Sequence, residues 1–282
     1  MKRIIIYLSL FLFAAQAQAT LITAKEFIDI CKSDPKAVII DCDRAANYTA
    51  SHVKGAVNIF PQELFTGKPD GIFKSADELA VFFGSKGISE ASQIILYDDG
   101  SNKYTSTIHF VLDYLGAEDV KILTKNMAEW EKVRIPLTSA ATKIAPATFK
   151  AKPKSGYMIS IADFKAKTDQ SSYTLIDNRK VEEFQGVDVD KKSKGHLPNA
   201  IGIFYKDFLN ADGSYKTKEE IDAIAKKYAV APEKEVILYC NSNILAAVGY
   251  YAFKVLLNYP DVKILEGGYN YWVLDASNPL TK

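Results

Sequence analysis

Of the three cysteines in the 282-residue chain, Cys31, Cys42 and Cys240, one stands where a sulfur could act as a nucleophile. Cys240 follows the apolar run EVILY and precedes a short stretch, Asn241, Ser242, Asn243, Ile244, Leu245 and Ala246, that opens a helical pattern lasting to about Leu257. A residue between the carboxyl end of a strand and the start of a helix meets unpaired backbone N–H groups and the positive end of the helix dipole. That setting lowers a thiol pKa, gives a usable thiolate near neutral pH and would hold a persulfide anion by the same means. The plain alternative is a small core residue closing an apolar strand; position in the loop, more than residue type, favours the nucleophile. Cys31 in EFIDICKS and Cys42 at a strand's polar end lack this context, so core packing, or a disulfide joining the two, is expected of them.

Other chemistry is poorly supplied. There is no C-x-x-C, and His52, His109 and His196 lie far apart, so no metal and no cofactor is expected. Asp98 and Asp99 could form an acid/base or metal pair, yet with no third ligand in view a solvated loop is the expectation. A phosphatase of the Cys-x5-Arg kind is excluded, because the sixth residue after Cys240 is Ala246 and no arginine follows to clamp phosphoryl oxygens. A formal charge of +1 without a basic stripe excludes a polyanionic partner such as nucleic acid.

The elements that must position Cys240 occur twice. SQIILYDDGSNKYTS is answered by KEVILYCNSNILAAV, and VKILTKNMAEW by VKILEGGYNYW. Cys240 lies 142 positions beyond Asp98, as Trp272 does beyond Trp130. Upstream, AVIIDCDRAANYTASHVKGAVNI parallels YTLIDNRKVEEF and KGHLPNAIGI, with an insertion in the second copy around GVDVDKKS. A repeat this long is a duplicated domain rather than a solenoid unit. In each copy, continuous apolar runs suited to buried parallel strands alternate with helical periodicity, as in VIID, IILY and DELAVFFGS, and Gly116 is the expected stop of TSTIHFVLDYLG. The fold class is therefore α/β, with two domains that each hold a parallel sheet flanked by helices.

Boundaries follow from composition. Residues 1–19 place Lys2 and Arg3 before an apolar run too short to span a bilayer and end in Ala17-Gln18-Ala19, which reads as a signal peptide with a cleavage site. The mature chain is expected to start near Thr20, to be periplasmic or secreted, and to have no membrane attachment after cleavage. Its length of about 260 residues suits two domains, each able to bury its own core. The N-terminal domain is expected over 20–137, an Ala/Thr/Lys/Pro-rich linker over 138–156 and the C-terminal domain over 157–282.

These motifs resemble those of the tandem-domain rhodaneses, the thiosulfate and 3-mercaptopyruvate sulfurtransferases. The resemblance is carried by LIDNRKVEEFQG, GHLPNA, CNSNILA and EGGYNYW in copy two, and by LYDDGS and SHVKGAVNI in copy one. It covers nearly the whole mature chain. It implies an inert first domain, with Asp98 at the cysteine position, and a second domain that transfers sulfur by ping-pong chemistry. Cys240 would take the outer sulfur of a small anionic donor as a persulfide and yield it to a thiol, to cyanide or to a partner protein. Arg179, at the family's Asp-x-Arg motif, would bind the donor, with a salt bridge to Asp177 or Glu183 as the structural alternative. The 241–246 backbone would cradle the anion. The neutral loop matches the mercaptopyruvate branch. Three positions depart from the pattern: Asn243 replaces a glycine, Leu245 replaces a hydroxyl residue, and Asp43 stands in copy one where copy two has Arg179. A non-enzymatic carrier of reactive sulfur, selenium or a thiol is the alternative reading.

His52 and His196 occupy matching places, which implies a shared structural hydrogen bond rather than catalysis. His109, in an apolar helix, is expected in the core or at an interface.

Overall fold

The computed structural model describes residues 20–67, 71–187 and 193–282. The leader expected over 1–19 and most of the insertion in copy two lie outside these residues. Among the described residues no helix is long and apolar enough to cross a membrane.

The described residues form twelve strands: β1 (Leu21–Ile22), β2 (Val38–Asp41), β3 (His52–Val53), β4 (Val57–Asn58), β5 (Gln93–Tyr97), β6 (Asp119–Leu123), β7 (Leu137–Thr138), β8 (Met158–Ile159), β9 (Tyr173–Asp177), β10 (Ile201–Gly202), β11 (Glu235–Tyr239) and β12 (Val262–Leu265). The first sheet is ordered β1-β6-β5-β2-β4 and the second β10-β9-β11-β12-β8, all pairs parallel; β3 and β7 form a small antiparallel pair. The interior strands β2 and β11 are buried along their whole length, because helices cover both faces of a parallel sheet. This is the α/β arrangement expected from the apolar runs.

Local signals start several helices. Thr23 with Glu26, Ser75 with Glu78 and Thr217 with Glu220 form capping boxes ahead of Ala24–Ser33, Ala76–Ser85 and Lys218–Lys227, each satisfying two otherwise orphaned N–H groups. Gly116 follows the helix Lys103–Tyr114 with φ of +87°, the left-handed residue that closes a helix end.

The packing departs from two independent cores. One apolar cluster fills the outer face of the first sheet around Phe27 and Trp130, and another that of the second around Phe164 and Trp272. The inner faces of both sheets share a single larger cluster. Helices Lys103–Tyr114 and Ala246–Tyr250 meet there, with Phe110 edge-on to Tyr250 at 4.8 Å and His109 edge-on to Tyr251 at 4.9 Å. Ser106 Oγ and Tyr215 OH add a buried hydrogen bond of 2.6 Å between the copies. The helical pattern after Cys240 resolves as an α-helix over Ala246–Tyr250 that widens to a π-helix over Tyr251–Leu256, and every residue from Ala246 to Phe253 is buried. Residues between β7 and β8 form no regular element and lie on the first domain, where Ala147 N–H donates to Gly84 O, Lys152 N–H to Leu115 O, and Phe149 packs on Phe83.

Candidate functional site

Cys240 leaves the carboxyl end of β11, and the chain turns back over its sulfur within five residues. Leu245 N–H donates to Cys240 Sγ at 3.3 Å, and the N–H groups of Ser242 and Ala246 also act on the thiol in the direction that favours its anion. The turn requires one left-handed residue, and Asn243 supplies it at φ of +70°. Asparagine tolerates this region better than most residues, so the loss of the expected glycine leaves the loop intact. Asn243 does more than a glycine could: its Nδ2 donates to Gly71 O of the first domain at 3.0 Å. Asn241 Nδ2 donates to Glu183 Oε1 at 2.7 Å, and Thr107 Oγ1 donates to Ile244 O at 3.3 Å. From below, Tyr269 N–H donates to Cys240 O at 2.8 Å. A Cβ on Gly268 would come within 2.4 Å of that carbonyl, so the segment after β12 can close on the loop only with glycine there.

The electrostatic expectation needs correction in one respect. Cys240 is 1% exposed, and burial pushes its thiol above the ordinary value even though the three amides pull the other way. Desolvation penalises the charged form throughout, whereas a bond from a neutral amide offsets only part of it. The resting residue is therefore a covered thiol with a preformed anion cradle. Asn241, Ser242, Ile244 and Leu245 are partly exposed, while Asn243 and Ala246 are buried with the sulfur.

Copy one shows what the cradle does with an anion. Asp98, expected in a solvated loop, is 3% exposed. Its Oδ1 accepts from the N–H groups of Gly100 and Asn102, and its Oδ2 from those of Tyr104 and Thr105, at 2.8 to 3.4 Å. Burial, with the charge of Asp99, still raises its pKa to about 6. The matched spacing of Asp98 and Cys240 was the available signal for this role; composition suggested only a polar loop.

Arg179 is placed on internal acceptors. Its Nε and Nη2 bond Asp177, the latter at 2.6 Å, its Nη1 donates to Ser193 Oγ and its Nη2 to Gly195 O. The guanidinium lies 4.0 Å from the ring centre of Tyr269 and Arg179 is 1% exposed. Arg179 ties the 193–195 segment to β9 and makes the salt bridge to Asp177 that was the structural alternative. It and Cys240 follow the carboxyl ends of the neighbouring strands β9 and β11, and both are buried.

The remaining candidates fall outside the site. His52 Nδ1 lies 2.6 Å from Tyr48 O and His196 Nδ1 2.8 Å from Phe184 O, each ring stacked on the residue it bonds. His109 is buried at the interface between the copies, where burial lowers its pKa to about 4. Cys31 and Cys42 are free thiols, Cys42 in the core. Among the described residues no group of three or more His, Cys, Asp or Glu could hold a metal ion.

The family model of the rhodanese-like domain matches residues 23–133 and again 160–275. The sulfur carrier protein TtuD of Thermus thermophilus is 24% identical over 279 residues, covering 94% of this chain and 98% of its own length. The 3-mercaptopyruvate sulfurtransferase of Escherichia coli is 26% identical over 263 residues, covering 88% and 92%. The crystal structure of SseA from Escherichia coli, a 3-mercaptopyruvate enzyme with the rhodanese fold, superposes with a TM-score of 0.78 at 25% identity, covering 89% of this chain and 99% of that one.

Proposed function

The chain belongs to the rhodanese-like domain family and is a sulfurtransferase built from two such domains, and we propose that Cys240 of the second domain carries the transferred sulfur as a persulfide. The observation that carries this reading is the convergence of the Ser242, Leu245 and Ala246 amides on Cys240 Sγ, in a loop whose counterpart grips the Asp98 carboxylate with four N–H groups. A persulfide puts its charge on the outer sulfur and ionises more readily than a thiol, so a cradle too weak to ionise buried Cys240 suits the loaded form better. The donor is a 2-oxo acid thiol of the 3-mercaptopyruvate kind. The loop has no basic side chain to hold a dianion such as thiosulfate, and several relatives bear the mercaptopyruvate name.

In the first half-reaction the Cys240 thiolate attacks the donor sulfur. The S–S bond forms as the C–S bond breaks, and the electron pair leaves as the pyruvate enolate, which takes a proton. In the second, an acceptor thiolate, on a small molecule or a partner protein, or cyanide attacks the outer sulfur and releases the Cys240 thiolate. Because Cys240 is 1% exposed, both steps require the 241–245 turn to move aside. The basic, apolar and small-residue order of residues 1–19 supports an exported compartment for the reaction.

A second reading, a carrier that loads once and hands sulfur to a partner, is favoured by Leu245, which puts no hydroxyl beside the sulfur, and by the name of the Thermus relative. Steady-state assay with 3-mercaptopyruvate and cyanide or a thiol tests the two. Repeated turnover that vanishes in Cys240→Ser supports the enzyme. Loading of one sulfur per chain without turnover supports the carrier, and absence of loading defeats both.

A further inference from the structure

The N-terminal domain has its own cavity, of about 310 Å³, beside Asp98. Its counterpart in the second domain is filled by Arg179. The backbone turns that place Asp43 and Arg179 are the same: Asp43 N–H donates to Asp41 Oδ1 at 2.9 Å, as Arg179 N–H donates to Asp177 Oδ1 at 2.9 Å. From that turn the second domain sends a guanidinium back onto Asp177 and under the ring of Tyr269. The first domain has a carboxylate there, and Met127 at the place of Tyr269. The space is walled by Asp41, Asp43, Asp98 and Asp99, with Tyr97 and Trp130 as aromatic surfaces and Lys125 as the one basic residue.

The wall holds four carboxylates against one lysine. An ionised carboxylate offers about four acceptor positions. Asp98 spends its own on backbone amides. Asp41 spends two, on Asp43 N–H and Tyr97 OH, Asp43 two, on Arg44 N–H and Asn47 Nδ2, and Asp99 one, on Ser101 N–H. Acceptor capacity is left over on three of the four. A second, independent sign is His52, which lines the same cavity and is 2% exposed. Its Nδ1 lies 2.6 Å from Tyr48 O, which leaves Nε2, buried without a partner, as the acceptor of the neutral ring. A metal ion does not suit these groups, since no three of them are arranged as its ligands among the described residues.

We infer that this cavity binds a small organic cation rich in N–H donors, a guanidinium or primary ammonium on a short apolar stem, seated where the second domain carries Arg179. The carboxylates supply charge-assisted bonds, and Tyr97 and Trp130 offer surface for the stem. The domain with Asp98 in place of the nucleophile thus has a binding site of its own.

Titration calorimetry of the processed protein with ethylguanidinium chloride, against ethylurea and sodium chloride at equal ionic strength, tests this, with the Trp130 indole N–H signal reporting the place. Saturable one-site binding of ethylguanidinium and none of ethylurea is expected. Asp43→Arg, which fills the cavity from within, should weaken binding at least roughly tenfold, the loss of about one charge-assisted contact. Asp99→Asn, an exposed change that leaves the fold alone, should weaken it less. Lys125→Met, which removes the one repelling charge, should tighten it, and Cys240→Ser should not alter it. Absence of saturable binding to the wild type, equal binding of ethylurea, or weaker binding in Lys125→Met would overturn the inference.

Discussion

Replacing Arg179 with methionine separates two roles for that residue. Asp177 is fully buried, and Arg179 Nη2 holds its carboxylate at 2.6 Å. Removing one partner of such a pair leaves an uncompensated charge in the interior, which costs about 3–5 kcal/mol. The Gly195 carbonyl and Ser193 hydroxyl also lose a donor, so the upper half of that range is expected. In a protein of this size that loss lowers Tm by roughly 8–20 °C. Urea denaturation of wild type, Arg179→Met, Asp177→Asn and the double variant measures it. The double variant should be more stable than the sum of the single losses implies, because the stranded charge is gone. If Arg179→Met unfolds within about 1 kcal/mol of wild type while its KM for 3-mercaptopyruvate rises, the buried-pair argument is refuted and Arg179 belongs to the donor site.

Three further outcomes follow from the loop and its counterpart. With Cys31 and Cys42 replaced by serine and alanine, alkylation of Cys240 by iodoacetamide should be slow at pH 7 and still climbing at about pH 9, the ordinary thiol range, because burial raises this thiol; a plateau near neutrality would show the amides prevailing over burial. Asn243→Ala, at φ of +70° and without the bond to Gly71, should lose about 1–3 kcal/mol in urea denaturation, and Asn243→Gly clearly less; equal losses would remove backbone strain from the explanation. Asp98 has a folded pKa of about 6 against an ordinary 3.8, so the folded state holds its proton more tightly than the unfolded chain. Its contribution is greatest below about pH 4 and declines by about 3 kcal/mol as pH rises through 6. The wild type should therefore lose stability relative to Asp98→Asn between pH 4 and 7, and a constant difference would contradict that assignment.

The duplication, the parallel strands and the place of the sulfur were legible because each leaves a local trace. VII of β2 and VILY of β11 are unbroken apolar runs since both faces of their sheets are covered, and the spacing from Asp98 to Cys240 maps one loop onto the other. Burial of the loop was not legible, because it comes from the other copy: Gly71 O lies against Asn243, and Thr107 against Ile244, contacts between residues more than a hundred positions apart. That burial reverses the expected direction of the Cys240 shift. Arg179 shows the same limit. The three-residue Asp-x-Arg frame fixes the turn, but whether the guanidinium faces a ligand or Asp177 depends on Ser193 and Tyr269, which the local sequence does not bring near. The single inner cluster shared by both domains also escaped composition, since helices Lys103–Tyr114 and Ala246–Tyr250 are apolar on faces that would suit either separate or joined cores.

The carrier role of Cys240 is tested most directly by intact-protein and peptide mass spectrometry after brief exposure to 3-mercaptopyruvate and removal of the donor. One added sulfur atom on the peptide holding Cys240, none on those holding Cys31 or Cys42, and none anywhere in Cys240→Ser is the result the cradle geometry requires. An unmodified Cys240, or sulfur residing on Cys31 instead, would contradict it.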